Sequence, residues 1–182
     1  MEQIKIDIKV IGDNLKEALD ETIIANAIVV ENFGIYNRAF EVTISGRYNR
    51  TYTIVSEWTE ITLKSILIEK DLLIIILSYS IAVIDLNQNR LLQLIKLDSS
   101  LFSIHRFKSG YFIYGELLNY FLNQKFEVVW DNGCADIFVN PKVEKELEIF
   151  SDYITVFDWC GYKHYYNENG KFKTEHYPKY EM

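Results

Sequence analysis

From residue 26 onward the chain is written in short β-branched and aromatic runs cut by turn residues, and this punctuation limits the fold more than any other feature. "NAIVVENF", "AFEVTIS" and "TYTIVSEW" are separated by "GIYNR" and "GRYNR", which carry the Gly and Asn that tight turns require. Then follow "LLIIIL", "SIAVID", "LLQLIKL", "LFSIHRF", "YFIYGEL", "LNYFL", "FEVVW", "DIFVN", "LEIF", "DYITVFDW", "YKHYYN" and "KFKTEHY", punctuated by "NQNR", "KSG", "NQK", "DNG" and "ENG". Strands spaced at intervals of about 8–12 residues predict an all-β chain of antiparallel hairpin and meander units. Asn132-Gly133 in "DNG" reads as a type I′ hairpin turn. The charge-rich "NPKVEKELE" (140–148) reads as a surface loop with at most one helical turn. Hydrophobic residues make up 49% of the 182, so a core forms without a disulfide or metal staple, and one domain spanning 1–182 is expected.

The N-terminal segment departs from this rhythm once. "QIKIDIKVI" (3–11) sets Ile4, Ile6, Ile8 and Val10 against Lys5, Asp7 and Lys9, the period-two pattern of a half-buried strand. In "GDNLKEALDETI", Leu15, Ala18, Leu19 and Ile23 fall near helical spacing, with Asp13 placed to cap the first turn. One short helix is expected there, and the alternative for the same residues is a turn followed by a strand into "IIANAIVVENF".

Pieces of the text recur. "LNQ" at 86–88 returns at 122–124, about 36 residues on, and "IAVID" at 81–85 returns as "ITVFD" at 154–158. Laid over one another, "LLIIILSYSIAVIDLNQNRLLQLIKL", "GYFIYGELLNYFLNQKFEVVW" and "KELEIFSDYITVFDWCGYKHYYNENG" each read as three strands joined by short turns. Ile81, Val83 and Asp85 match Ile154, Val156 and Asp158, with each trio on one strand face and the Asp placed to bond turn amides. This rhythm resembles the blades of β-propellers, whose four-stranded repeats run about 40–45 residues. The resemblance covers roughly residues 61–175. Three units fall short of the about 4–8 blades that close a ring. A propeller-like open arc or a β-sandwich is therefore expected, with the N-terminal hairpins as a fourth layer or a second copy of the chain completing the assembly.

The charge balance narrows function. Lys and Arg number 19 against 26 Asp and Glu, a formal charge of −7, and both signs are scattered along the chain. A nucleic-acid binder needs a clustered basic face, so that class is set aside, whereas net acidity speeds encounter with a basic protein. The longest apolar run, 72–84, is shorter than the roughly 20 residues that span a bilayer. The first residues carry no apolar leader. A cytoplasmic protein with no membrane partner is expected.

No catalytic motif stands out. His105, His164 and His176 are the only histidines, and Cys134 and Cys160 the only cysteines. "CGYKH" places Cys160 and His164 four apart, yet the close cysteine pair of structural zinc sites is missing, so neither metal nor cofactor is expected. Carboxylates at Glu57, Glu60, Glu116, Glu127, Asp131, Asp136 and Asp158 offer many pairs, and the sequence selects none for glycoside hydrolysis. The aromatic endowment is the remaining signal: three Trp, thirteen Tyr and eleven Phe, dense near the C terminus. Trp130, Asp131, Asp158, Trp159, Tyr162, Tyr165 and Tyr166 are the predicted partner-binding residues, because Tyr and Trp pair a large contact area with a polar handle. Small size, acidity and the lack of catalytic motifs resemble the profile of bacterial immunity proteins. That resemblance implies a non-enzymatic, soluble protein that masks a basic toxin. The alternative is a carbohydrate or small-molecule binder or hydrolase that stacks ligands on Trp130 and Trp159 beside a carboxylate pair. Homo-oligomer formation through an incomplete ring is a third reading.

Overall fold

Each alternating or wholly apolar run forms a strand, and the strands assemble almost in chain order into four-stranded sheets. The computed structural model describes residues 4–13, 21–31, 37–57, 60–134 and 136–182. Sheet I holds β1 (Lys5–Asp13), β2 (Val29–Val30), β3 (Asn37–Ser45) and β4 (Arg50–Glu57) in the order β1-β3-β4-β2, with a short helix α1 (Glu21–Asn26) after β1. Sheet II is a meander of β5 (Ile66–Glu69), β6 (Leu72–Ile76), β7 (Ser80–Asp85) and β8 (Arg90–Lys96). Sheet III repeats it with β9 (Leu101–Phe107), β10 (Gly110–Gly115), β11 (Leu118–Asn123) and β12 (Val128–Gly133). Sheet IV repeats it again with β13 (Leu147–Ile149), β14 (Ile154–Phe157), β15 (Tyr162–Asn167) and β16 (Gly170–His176). All pairings are antiparallel except β2 with β4, which is parallel. The chain is thus all-β and built of propeller-blade-like meanders. It divides into two compact units, Met1–Leu97 with sheets I and II, and Asp98–Met182 with sheets III and IV. No helix among the described residues is long and apolar enough to cross a membrane.

In the first unit Phe40, Val42, Ile44 and Ile54 of sheet I pack with Leu73, Ile75, Ala82 and Ile84 of sheet II. Ile4, Ile6 and Ile8 join this core as their alternation predicts. Val10 does not: it is 50% exposed, although it still pairs with Phe40 ahead of a bulge between Val10 and Gly12. Ile11, the next residue, turns to the other face by ordinary alternation and packs with Ala39, Val55 and Ile23 of α1. Asp13, expected as a helix cap, is the last residue of β1. The predicted helical positions Leu15, Ala18 and Leu19 lie outside the described residues.

In the second unit Phe112, Tyr114 and Phe121 of sheet III pack with Ile154, Val156 and Tyr166 of sheet IV around Phe138. The third strands of sheets II to IV all end on an Asx side chain that accepts the amide two residues on. Asp85 Oδ1 accepts from Asn87 and Gln88 at 2.8 Å, Asn123 Oδ1 from Lys125 at 2.8 Å, and Asn167 Oδ1 from Asn169 at 2.8 Å. The two "LNQ" copies lie near this recurrent turn but are not equivalent: the first follows Asp85 in the turn, whereas Leu122 and Asn123 of the second close β11 and Asn123 is itself the acceptor. The match of "IAVID" with "ITVFD" is different: the first is the third strand of its sheet and the second is the second strand. Apolar alternation alone cannot tell neighbouring strands apart, so the third unit enters the alignment one strand late.

Other local expectations shift for similar reasons. Asn132 and Gly133 close β12, paired with Asn119 and Leu118, and make no turn. The second "YNR" forms the β3–β4 turn with Asn49 at φ 48°, whereas in the first copy Asn37 and Arg38 open β3. Residues 140–148 form the expected turn-rich loop, ending in β13, with no helical turn.

Glu31, directly after β2, ties the two sheets of the first unit. It is 2% exposed. Its carboxylate accepts from Ser56 Oγ, Ser78 N and Tyr79 N at 2.9 Å each, and from Ser80 Oγ. A buried carboxylate is tolerable only with this many donors. Replacing it strands those donors as well, so Glu31→Ala is expected to cost at least about 3 kcal/mol. Urea denaturation checks this, and a loss under about 1 kcal/mol would assign the junction to apolar packing alone.

Candidate functional site

Sheet IV carries most of the chemistry, because its two faces differ. Cross-strand register places Leu147, Val156, His164 and Thr174 on the side of Val156, toward the core. It places Glu148, Thr155, Tyr165 and Lys173 on the opposite, outward side.

On the outward face four aromatic rings run in contact. Phe150 stacks on Tyr153 at 4.6 Å between centroids, Tyr153 meets Tyr165 at 5.9 Å, and Tyr165 meets Phe172 at 6.2 Å. Phe172 reaches this side because it is the extra residue of a bulge opposite Tyr165 and Tyr166. The ends of the run, Phe150 and Phe172, are 40% and 54% exposed. Lys173 lies 4.8 Å from the Tyr165 centroid and 2.6 Å from Glu175 Oε1. Glu175 Oε2 accepts from the hydroxyls of Tyr165 and Tyr177 at 2.5 and 3.0 Å. Lys173 and these two hydroxyls hold the Glu175 carboxyl down at about 2. The face continues into an open groove of about 360 Å³, where Lys145, Lys163 and Lys179 border Phe157, Tyr177 and Tyr180.

On the inward side lies a polar cluster. Cys134 Sγ, a carboxylate oxygen of Asp158 and a ring nitrogen of His164 all lie within 4.8 Å of one another. Asp158 Oδ1 accepts the Tyr162 amide and Oδ2 meets His164 Nε2, both at 2.9 Å, while His164 Nδ1 faces Thr174 Oγ1 at 3.2 Å. Asp158 and His164 are 1% and 4% exposed. Burial lowers the His164 pKa against the opposing pull of Asp158, so the ring is neutral near pH 7. Burial pushes the Cys134 thiol up to about 11, which removes the thiolate that a cysteine nucleophile needs. Asn140 braces the region: its side-chain amide donates to the Asp158 and Tyr180 carbonyls at 2.7 and 2.8 Å.

The seven predicted binding residues therefore scatter. Tyr165 alone belongs to the outward aromatic run. Tyr166 is fully buried and Asp158 nearly so. Trp130 stacks on Phe121 and Tyr166 at 5.9 and 5.6 Å, so its faces serve the core. Asp131 is exposed on β12, and Trp159 is half-buried after β14. Tyr162 lies on the inward parity but at the exposed sheet end, stacked on His176 at 4.4 Å. Phe150, Tyr153 and Phe172 escaped sequence reasoning, because only strand register shows that they share a face. His105 Nε2 lies 2.8 Å from Ser103 Oγ on β9, but Ser103 is buried, out of reach of a substrate carbonyl.

No family model matches the sequence, and no curated protein matches it. Solved structures do share the fold. BBS1N in complex with ARL6DN is similar at 12% identity and TM-score 0.51, over 82% of this chain and 52% of that one. BamB from Moraxella catarrhalis is similar at 13% identity and TM-score 0.50, over 93% of this chain and 52% of that one. Dihydro-heme d1 dehydrogenase NirN is similar at 14% identity and TM-score 0.52, over 76% of this chain and 34% of that one. The chain therefore spans about half the length, or less, of these structures. BBS1N and BamB are β-propeller proteins, and the likeness establishes the blade-like fold of this chain.

Two solution properties follow from the local electrostatics. A carboxyl depressed in the folded state adds stability above its ordinary range and loses it as pH falls toward its folded value. The contribution of Glu175 is therefore present at neutral pH and lost on acidification toward about 2. Acid titration of the Glu175→Gln variant should show a shallower decline than wild type. Cys134, with its thiol near 11, should be alkylated by iodoacetamide at pH 8 far more slowly than a free cysteine, as peptide mass spectrometry would show.

Proposed function

We propose that this chain is a non-enzymatic protein-binding module that docks a basic protein on the outward face of sheet IV. The observation that carries the reading is the run Phe150–Tyr153–Tyr165–Phe172, an exposed aromatic surface on a rigid sheet. Aromatic residues concentrate binding energy at interfaces, and a ring that is stacked before binding loses little side-chain entropy on docking. The net charge of −7 supports a cationic partner, through faster encounter rather than through contact energy. BBS1N, of similar fold, is itself seen in complex with another protein. In its specific form the reading is that of a bacterial, cytoplasmic immunity protein that covers the basic cleft of a toxin. The protonated Cys134 thiol and the buried Ser103 support a non-catalytic role.

The test is affinity capture from the native cells at low salt, with wild type and the Phe150→Ala/Phe172→Ala double variant side by side. A stoichiometric basic protein is expected on the wild-type column, released by salt, and reduced at least about tenfold on the variant. Equal recovery on both columns would remove the aromatic face from the interface. Failure to recover any partner would overturn the reading.

A further inference from the structure

We propose that Cys134, Asp158 and His164 form a binding site for a divalent transition-metal ion of the zinc or cobalt type. The three side chains come from separate places: the end of the β12 segment, the turn after β14, and the middle of β15. They offer one thiol, one carboxylate and one imidazole within 4.8 Å of one another. Sulfur, nitrogen and oxygen donors in this mixture suit zinc and its neighbours rather than magnesium or calcium.

Charge supplies a second argument. Asp158 is a nearly fully buried acid, and among the described residues His164 is the only group in ion-pair distance of it. Its oxygens accept from the Tyr162 amide and face His164 Nε2, both at 2.9 Å. A divalent ion held by one thiolate and one carboxylate gives a site of zero formal charge, the favourable state where Asp158 and His164 are buried and only Cys134 is half-exposed.

The proton balance closes with the residues present. With His164 Nε2–H donating to Asp158, Nδ1 accepts from the Thr174 hydroxyl. When the ion takes Nε2, the ring proton moves to Nδ1 and donates to Thr174 Oγ1, so the imidazole stays neutral and its orientation is kept. Cys134 gives up its S–H proton, now directed at the Asp136 carbonyl, as the metal–sulfur bond forms. One proton is released per ion. Bond lengths of about 2.0–2.3 Å require the donors to draw somewhat closer together on binding than their present separations within 4.8 Å. The fourth position is left to solvent. This site is independent of the aromatic face, so it stands or falls separately.

The experiment is a Co²⁺ titration of the reduced full chain, read by the thiolate-to-cobalt charge-transfer absorption in the near ultraviolet. One equivalent should saturate the band, and Zn²⁺ should abolish it. Cys134→Ser, conservative at a half-buried position, should abolish the band with unchanged circular dichroism. Cys160→Ser should leave it intact, and Thr174→Val should weaken Co²⁺ binding about tenfold. Absence of a charge-transfer band in folded wild type would overturn the proposal. So would a band that survives Cys134→Ser and disappears with Cys160→Ser. Because His164→Gln risks the fold, the same variant series is also followed by thermal unfolding. Zn²⁺ should raise the midpoint of wild type and of Cys160→Ser, but not that of Cys134→Ser.

Discussion

The structure depends on burying the middle strands of its sheets on both faces. β6, β7, β10, β11 and β14 are buried along nearly their whole length, whereas the fourth strands β8, β12 and β16 are largely exposed. A single sheet in water covers at most one face, so apolar runs such as "LLIII" and "SIAVI" are incompatible with an isolated meander. Burial of both faces satisfies them, and in sheets II to IV the fourth strand is left at the exposed edge. The outward chemistry of sheet IV is possible because its first and fourth strands, β13 and β16, are edge strands, so Phe150, directly after β13, and Phe172, on β16, stand in the open.

Apolar stacking is not selective about register, and a few buried polar groups supply that selectivity. Glu31 collects donors from β4 and from the β6–β7 hairpin, so sliding either element would strand a charge. Asp158 and Asn140 play the corresponding part in the second unit, joining the turn after β14, the loop at 140–148 and the C-terminal segment. The Arg47–Tyr48 turn adds an exposed tie in the first unit, with both side chains bonded to Asp71. Buried donors and acceptors are expensive when unpaired, which gives these few residues leverage out of proportion to their number.

The same division explains which candidate residues were legible. Tyr165 was singled out as one of several aromatics in the polar stretch "YKHYYNENG". Trp130 and Tyr166 have similar neighbours and are nonetheless core residues, since period two places them on the inward parity of their strands. The cluster of Cys134, Asp158 and His164 had no signature at all: its members are 24 and 6 residues apart, and metal motifs are visible in sequence only where ligands are close on one turn. Phe150 and Phe172 come together across a sheet through register and a bulge, neither of which leaves a trace in composition.

What the sequence by itself determined is the class and the rhythm: all-β, repeated hairpin and meander units of short strands, turns near Asp85, Asn123 and Asn167, and a polar loop at 140–148. These are local properties, set by side-chain alternation and by Asx and Gly turn chemistry over a few residues. Only the tertiary structure decided that each sheet has four strands, that β2 joins its sheet in parallel, that Val10 stays exposed at the end of the core face, and that "ITVFD" is a second strand. It also decided which tyrosines face solvent. A strand carries no label for its partner, and one residue of slip exchanges its two faces; long-range pairing and packing make that choice.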